Sequence, residues 1–359
     1  MPDPSNATTR VAVVGVSGYA GAELARLLLR HPGLRNTPPV FLGRMGEPAS
    51  AKPVRLAEMH PQLAGLPHVD EMNVAPWQWS DLERERIGLL LLATPHEQSR
   101  TLVPEALARG MRVIDLSGAW RLHEGSHRAV YGFEDADSEI AATVQAEAVY
   151  GSPELHGPAI AKARLVANPG CYATSIILAL APILRAQLAD LHCGIVCDAK
   201  SGVSGAGKNP TATTHFMYAA DNLSAYAVFG HRHTGELLEQ LHIKSEQIQF
   251  TPHLLPIPRG ILSTVYVRLT ETVTAGRIQD CFNDFYAHSP LVRVHSTPAL
   301  PQIQYVVRGP FCDIGFQVSP NGRRLVIVSC LDNLLKGAAS QAIENLNLML
   351  GWPEVEGLL

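Results

Sequence analysis

Arg10 to Gly21 reads RVAVVGVSGYAG. A short unbroken apolar run of this kind marks a strand buried on both faces. Glycines at Gly15, Gly18 and Gly21 follow, and Ala22 to Arg30 continues as a helix that His31-Pro32-Gly33 stops. Strand, glycine turn and helix in this order form the first unit of a doubly wound sheet that holds a dinucleotide. The glycines permit a tight turn and close backbone approach, and the pyrophosphate rests on the helix N-terminus. Ser17 takes the place of the second glycine of the common fingerprint, so Gly15, Ser17, Gly18, Tyr19, Ala20 and Gly21 are the candidate cofactor turn.

The rest of the first half extends that unit. Pro39 to Arg44 reads as the second strand. An acidic residue near its end is the expected ribose contact of an NAD site; Arg44 stands there instead and suits the 2′-phosphate of NADP. A solvated loop arginine is the plainer alternative. Ile87 to Ala93 (IGLLLLA) and Met111 to Ser117 (MRVIDLS) are further strands, with a helix from Glu97 to Ala108 between them. Such alternation predicts a parallel sheet. Its strand ends at Thr94-Pro95-His96 and Asp115-Leu116-Ser117 are expected to open onto the cofactor crevice. Arg121, in a loop-rich segment, carries a guanidinium suited to a carboxylate or phosphate.

The second half carries nucleophile and proton chemistry. Leu165 to Ala167 leads into Asn168-Pro169-Gly170, then Cys171, then an Ala/Leu/Ile-rich helix from Thr174 to Leu184. A thiol at a helix N-terminus is favoured as thiolate by the dipole and by unpaired N–H groups. The alternative is a cysteine buried as a small hydrophobe. Gly194 to Lys200 reads as a strand, and Ser201 to Lys208 (SGVSGAGK) fits the letters of a phosphate-cradling loop. Asn209-Pro210 removes the magnesium-binding hydroxyl and the following helix, so a kinase-type loop is excluded. A glycine loop offering N–H groups and Lys208 to a small anion remains, beside a merely flexible turn.

His231-Arg232-His233-Thr234-Gly235-Glu236 precedes apolar Leu237, Leu238 and Leu241, which predicts a helix from Thr234. His233 and Glu236 share a face at i, i+3. A carboxylate beside an imidazole supports its protonated form, as a general acid/base requires. A metal pair at His231 and His233 lacks a third ligand at any clear spacing, so no metal is expected. His253 to Gly260 reads HLLPIPRG, and strands are expected at Ile261 to Leu269, Gln302 to Val307 and Arg324 to Cys330. The second half is thus expected to be α+β with a largely antiparallel sheet. A last helix is expected from Ala338 to Met349.

At 359 residues the chain is long enough for two cores. The domain reading is 1–167 for NADP binding, 168–331 for catalysis and subunit contact, and 332–359 for a C-terminal helix returning to the first domain. A net charge of −4 argues against nucleic-acid and membrane partners. The amino-terminal residues lack a basic start and an apolar core, and read as a loose tail. Scattered cysteines without a CxxC pair suit a reducing, cytoplasmic setting.

Together these motifs resemble the N-acetyl-gamma-glutamyl-phosphate reductases of the arginine pathway, within the wider semialdehyde dehydrogenase group. The likeness rests on Ser17 to Gly21, Val113 to Ser117, Asn168 to Tyr172, Ser204 to Lys208, His231 to Thr234 with Glu236, and Asn333 through Ala339. It implies NADPH-dependent reduction of an acyl phosphate to an aldehyde through a Cys171 thioester, with His233 as acid/base and Glu236 orienting it. It further implies cofactor contacts at Ser201, Gly202 and Asn333, substrate contacts at Asn168, Ser204, Gly205 and His231, and a homodimer or homotetramer. The same chemistry on a carrier-linked glutamyl or aminoadipyl phosphate, and a non-enzymatic NADP-binding sensor, are the alternatives. Gly235 departs from the family, where proline is frequent.

Overall fold

The computed structural model describes residues 9–45 and 52–359, without the side chain of Arg44. The chain divides into two compact units: Met1–Arg121, Phe133–Asn168 and Ala339–Leu359 form the first, and Leu122–Gly132 with Pro169–Ala338 the second.

The first unit is built on a sheet of β1 (Arg10–Val14), β2 (Val40–Met45), β3 (Val54–Arg55), β4 (Asn73–Trp77), β5 (Ile87–Leu92), β6 (Arg112–Asp115), β7 (Val149–Tyr150) and β8 (Leu165–Ala167). Its order is β3-β4-β2-β1-β5-β6-β8-β7. Only the β3–β4 pair is antiparallel among these neighbours. The direction of winding reverses at β1 and β5, so right-handed crossovers cover both faces and the crevice opens there. Val11, Ala12, Val13, Leu89, Leu90, Leu91 and Leu92 are wholly buried, as their unbroken apolar letters require.

The C-terminal helix Ala339–Leu350 packs beside Tyr19–Arg30 in this unit. Its polar side chains are buried with it and need partners. Gln341 and Asn345 each donate to Gly151 O at 3.0 Å, and Asn345 also donates to Asn168 Oδ1 at 3.0 Å. Asn347 donates to the carbonyls of Glu354 and Glu356, and its Oδ1 meets His31 Nε2 at 2.9 Å.

The second unit carries a seven-stranded sheet of β9 (Ile195–Gly202), β10 (Ser224–Ala225), β11 (Ile248–Leu255), β12 (Ile261–Arg268), β13 (Val292–Val294), β14 (Cys312–Val318) and β15 (Arg324–Leu331), in the order β10-β11-β9-β12-β15-β14-β13. β9–β11 and β13–β14 are parallel, and the other pairs antiparallel. The helix Cys171–Arg185 packs on β12 and β15. Three buried hydroxyls join them: Ser175 Oγ lies within hydrogen-bond distance of Ser263 Oγ at 2.9 Å and Ser329 Oγ at 3.2 Å. On the other face Val196 and Tyr266, cross-strand neighbours, are 43% and 46% exposed.

One expectation needs correction. Gln302 to Val307 is not a strand; Ile303–Val306 is a helical turn. Ile303 and Val306, at i, i+3, both turn to the cluster of Val328 and Cys330, which a strand alternation cannot do. The β14 strand follows instead. Its glycine, Gly315, lies so close to Ala299 O that an added Cβ would stand 2.7 Å away.

Candidate active site

The helix of the second unit begins at Cys171 itself, three residues earlier than its apolar letters suggest. Gly170 is its N-cap, no side chain caps it, and no acidic residue sits in its first turn. The first-turn N–H groups and the positive end of the dipole therefore act on the thiol. Cys171 is partly exposed, whereas Cys197, Cys312 and Cys330 are buried. Burial pushes the Cys197 and Cys330 thiols well up and that of Cys281 up as well, and a hydrogen bond to Asp190 does the same at Cys193. Those thiols are poor nucleophiles, which leaves Cys171 as the one set in a thiolate-favouring place.

The turn before it is held by the histidine helix. Gly170 N donates to Glu236 Oε2 at 2.9 Å, and Glu236 Oε1 lies 4.0 Å from His233 Nε2. Glu236 is fully buried, so its charge is little screened by water. The His233 ring lies directly on Gly170: a Cβ there would stand 2.4 Å from His233 Nε2. On the other side, a Cβ at Gly337 would stand 2.6 Å from Cys171 Cβ. Glycine on both flanks is what lets this clasp close.

His231 plays a different part. Its Nδ1 accepts from His233 N at 3.1 Å, and its ring meets Tyr172, Tyr226 and Phe250 edge-on at 5.5, 5.6 and 5.2 Å. Burial in this aromatic setting, with the Arg232 charge adding to it, pushes the imidazole down to about 4. His231 is neutral at neutral pH. Tyr226 was not evident from the sequence. Burial pushes its phenol up to about 12, with the neighbouring Cys171 acting in the same direction and the Tyr172 hydroxyl against it. It thus stands beside both the thiol and His231. No sequence spacing signals it, because it lies on an exposed stretch far from Cys171 in the chain.

The glycine loop needs revision. Ser201 and Gly202 end β9, and Val203–Ala206 forms one tight helical turn. Gly202, Val203 and Ser204 donate their N–H groups to the carbonyls of Gly260, Ile257 and Pro258, and Gly207 donates to Ser204 O. These four donors are spent within the fold, so the loop does not present a phosphate-cradling run of N–H groups. Gly205 and Lys208 are exposed. Asn333 bridges the loop to the following turn: its Nδ2 donates to Ser204 Oγ at 2.9 Å and its Oδ1 accepts from Gly260 N at 2.8 Å.

In the first unit, Gly15 has φ +88 and an added Cβ would meet Ala93 O at 2.4 Å; at Gly21 it would meet Gly15 O at 2.5 Å. Gly18 is open, with only Gly15 O at 3.9 Å, and caps the Tyr19–Arg30 helix without a side-chain bond. Ser17 and Tyr19 are exposed and Ala20 half-buried beside it. This open helix N-terminus on a reversal of winding fits a dinucleotide pyrophosphate. Arg44, the expected 2′-phosphate contact, has its side chain outside the described residues. Pro95 is the exposed N-cap of the next helix, and His96 Nδ1 accepts from Gly118 N at 2.8 Å.

Ser117 Oγ donates to Asp115 Oδ2 at 2.7 Å and Ser99 Oγ to Asp115 Oδ1 at 2.8 Å, pinning the strand ends together. Desolvation pushes the Asp115 carboxyl upward against these bonds. Arg121 is buried, donating to Asn168 O at 2.7 Å and Leu116 O at 2.8 Å. Asn168 is buried and accepts from Asn345. Both therefore brace the first unit's backbone. Among the described residues no cluster of His, Cys, Asp and Glu could hold a metal ion.

The comparisons agree with this geometry. Residues 10–163 match the family model of the semialdehyde dehydrogenase NAD binding domain, and residues 171–333 that of the semialdehyde dehydrogenase dimerisation domain. The N-acetyl-gamma-glutamyl-phosphate reductase of Geotalea daltonii is 41% identical over 353 residues, 97% of each chain. That of Symbiobacterium thermophilum is 40% identical over 358 residues, 98% of each chain. Aspartate semialdehyde dehydrogenase II of Vibrio cholerae, complexed with ASA, shares the fold with a TM-score of 0.68 at 18% identity, covering 96% of this chain and 98% of that one.

Two outcomes follow from the clasp. Gly170→Ala forces the His233 ring away while leaving both side chains present, and a displacement of this size should lower kcat about 100-fold with the fold retained by circular dichroism. His231 binds a proton more readily when unfolded, because its folded value is depressed. Its contribution therefore destabilises the fold progressively as pH falls from 6.5 to about 4. In melting curves over that window, the Tm of His231→Gln should fall less steeply than that of the wild type. With both family models matched and relatives of 40% and 41% identity spanning nearly the whole chain, this protein belongs to the N-acetyl-gamma-glutamyl-phosphate reductase family of semialdehyde dehydrogenases.

Proposed function

We propose that the chain reduces N-acetyl-gamma-glutamyl phosphate to N-acetylglutamate 5-semialdehyde, releasing phosphate, through a thioester on Cys171. The observation that carries this reading is the clasp: a cysteine at an uncapped helix N-terminus, with a histidine ring on the preceding glycine and a buried carboxylate holding both. The Cys171 thiolate attacks the acyl carbon, and the C–O bond to phosphate breaks with its electron pair leaving on phosphate. NADPH, when bound, supplies the hydride that reduces the thioester. Gly15, Gly18 and Gly21 would hold its pyrophosphate, and Arg44 would select the 2′-phosphate. His233 gives a proton to the carbonyl oxygen as that oxygen gains charge. It takes the proton back as the C–S bond breaks, the aldehyde forms and the thiolate returns.

His233 is preferred to His231 for this task. Glu236 lies beside His233, whereas burial and Arg232 keep His231 neutral well below neutral pH. His231 serves instead as a neutral donor through Nε2, since its Nδ1 accepts a backbone N–H. We assign Ser204, Gly205 and Lys208 to the leaving phosphate, with Lys208 as its charge partner and the loop's spent backbone N–H groups taking no part. Arginine synthesis in the cytoplasm is the setting, consistent with a nucleophile that must stay reduced.

A homo-oligomer completes the reading. Phe216, Met217, Tyr218, Leu223, Val228 and Phe229 are 75%, 74%, 66%, 54%, 45% and 81% exposed within one short stretch. Phe229 also has φ +60, a strained choice for a bulky residue. The stretch includes β10 at the sheet edge, and the matched dimerisation domain spans it. An apolar surface of this kind is covered in the working protein, and a second copy is the occupant that the matched domain supports.

The reaction is assayed in reverse by mixing the protein with NADP, N-acetylglutamate 5-semialdehyde and phosphate and following NADPH absorbance. Wild type should turn over; silence in this assay overturns the reading. Cys171→Ser should lose at least about 1,000-fold in kcat, and His233→Asn about 100-fold, because they remove the nucleophile and the proton carrier respectively. In sedimentation velocity, Phe216→Asp combined with Tyr218→Ser should raise the assembly dissociation constant at least about 10-fold. Unchanged assembly would remove this stretch from the contact.

A further inference from the structure

The chain folds back sharply on itself between Ser224 and His231. β10 ends at Ala225, opposite His253 of β11, and Tyr226 N donates to Pro252 O at 3.1 Å. A tight reversal follows: Ala227 and Phe229 have φ +45 and +60, and Gly230 N donates to Ala227 O at 3.0 Å. A Cβ disfavours the left-handed region, so this turn is held against local preference. It brings two side chains together: the Tyr226 ring stands edge-on to His231, with centroids 5.6 Å apart.

That ring is the third wall of a cage. The first is Tyr172, next to Cys171 on its helix, 5.5 Å from the imidazole and pinned by its hydroxyl to His253 O at 2.7 Å. The second is Phe250 of β11, at 5.2 Å. Tyr172 and Phe250 are core residues, 2% and 4% exposed, whereas Tyr226 is 38% exposed. Two walls therefore belong to the core, and the third stands at the surface. Inside, His231 Nδ1 accepts from His233 N at 3.1 Å, so the neutral ring carries its proton on Nε2. Nε2 has no hydrogen-bond partner among the described residues. The titratable groups around the ring are Arg232 and His233 in its own segment, with Glu236 beyond His233, then Tyr172 and Cys171 on the helix and Tyr226 across the turn. Desolvation by the walls, with the Arg232 cation adding to it, keeps the ring unprotonated down to about 4.

We propose that Tyr226 is a positioning residue for the reaction: acting through His231, its ring closes the cage against water and keeps Nε2–H a neutral donor. This rests on the reading given above, in which His231 donates without taking charge and His233 carries the proton. The two imidazoles are 4.7 Å apart, so a proton on His231 repels the one that His233 must hold. The ring of Tyr226 performs this task, and its hydroxyl is not required.

The test reads His231 itself by NMR. Its imidazole signal, identified by its loss in His231→Gln, is followed from about pH 8 to about pH 5. Wild type should stay neutral throughout. In Tyr226→Ala the midpoint should rise by about 1.5 pH units, into that window, because water reaches the ring. Tyr226→Phe keeps the wall and should stay neutral like wild type. A tyrosine that only supports the fold would lower the melting temperature in Tyr226→Ala and leave His231 neutral, which overturns the proposal. A rise in Tyr226→Phe as large as in Tyr226→Ala also overturns it, by assigning the effect to the hydroxyl. Tyr226 lies within the apolar stretch assigned to the subunit contact, so each variant is run in sedimentation velocity; a midpoint that moves only where assembly is lost overturns the proposal too. Tyr226→Leu, with an expected rise of about one unit, decides the matter if Tyr226→Ala does not fold. In the reverse assay, the acid limb of kcat/KM should move up in Tyr226→Ala together with the NMR midpoint, and a limb that stays in place removes the positioning role. A silent wild type in that assay overturns the parent reading, whereas the titration reports on the cage independently.

Discussion

The hydrogen bond from Gly170 N to Glu236 Oε2, 2.9 Å long, ties the turn that carries Cys171 to the helix that follows His233. Glu236 is wholly buried, and a buried carboxylate is expensive unless its oxygens are used. One oxygen takes the Gly170 N–H, and the other faces His233 at 4.0 Å. The same ion therefore sets the position of Cys171 and the electrostatic environment of the imidazole. At 4.0 Å the two groups share no direct hydrogen bond, so Glu236 acts on His233 through its field more than through a shared proton.

Space, rather than additional bonding, makes this arrangement possible. His233 and Cys171 each press on a glycine, Gly170 and Gly337, at distances that no Cβ tolerates. Gly235 has the same function one layer out, where an added Cβ would stand 2.9 Å from His127 Cβ. That contact leaves no room for a side chain at this position. The Leu122–Gly132 segment needs the room, and Glu239 fastens it by accepting from His123 N and Glu124 N at 2.8 and 3.0 Å.

How much was legible follows from the range of each interaction. The dinucleotide turn is a matter of neighbouring residues, and Gly15, Gly18 and Gly21 declare it in their spacing. The Cys171 helix and the Thr234–Leu241 helix announce themselves by apolar periodicity, and His233 with Glu236 by a single helical turn. Gly337 and Tyr226 do not, because nothing local distinguishes a glycine beside a distant thiol from one in a loop. Arg121 and Asn168 look like ligand-binding side chains by type, yet long-range packing commits them to backbone carbonyls and Asn345. The glycine loop reads as a source of N–H groups only until the 257–260 carbonyls that consume them are in place. The Ile303–Val306 turn carries β-branched letters that suit a strand, whereas burial against Val328 and Cys330 decides its period.

The two histidines show how one short motif is divided into separate tasks. His231 and His233 have rings 4.7 Å apart, yet their surroundings differ in sign. Tyr172, Tyr226 and Phe250 surround His231 with aromatic rings, and Arg232 adds positive charge, so the proton is driven off that ring. His233 faces a buried carboxylate and lies against the N-cap glycine of the cysteine helix. Were both rings able to hold a proton at neutral pH, their mutual repulsion would depress the affinity of each. Keeping His231 neutral removes that competition and leaves the proposed proton transfer to the ring nearest the Cys171 turn.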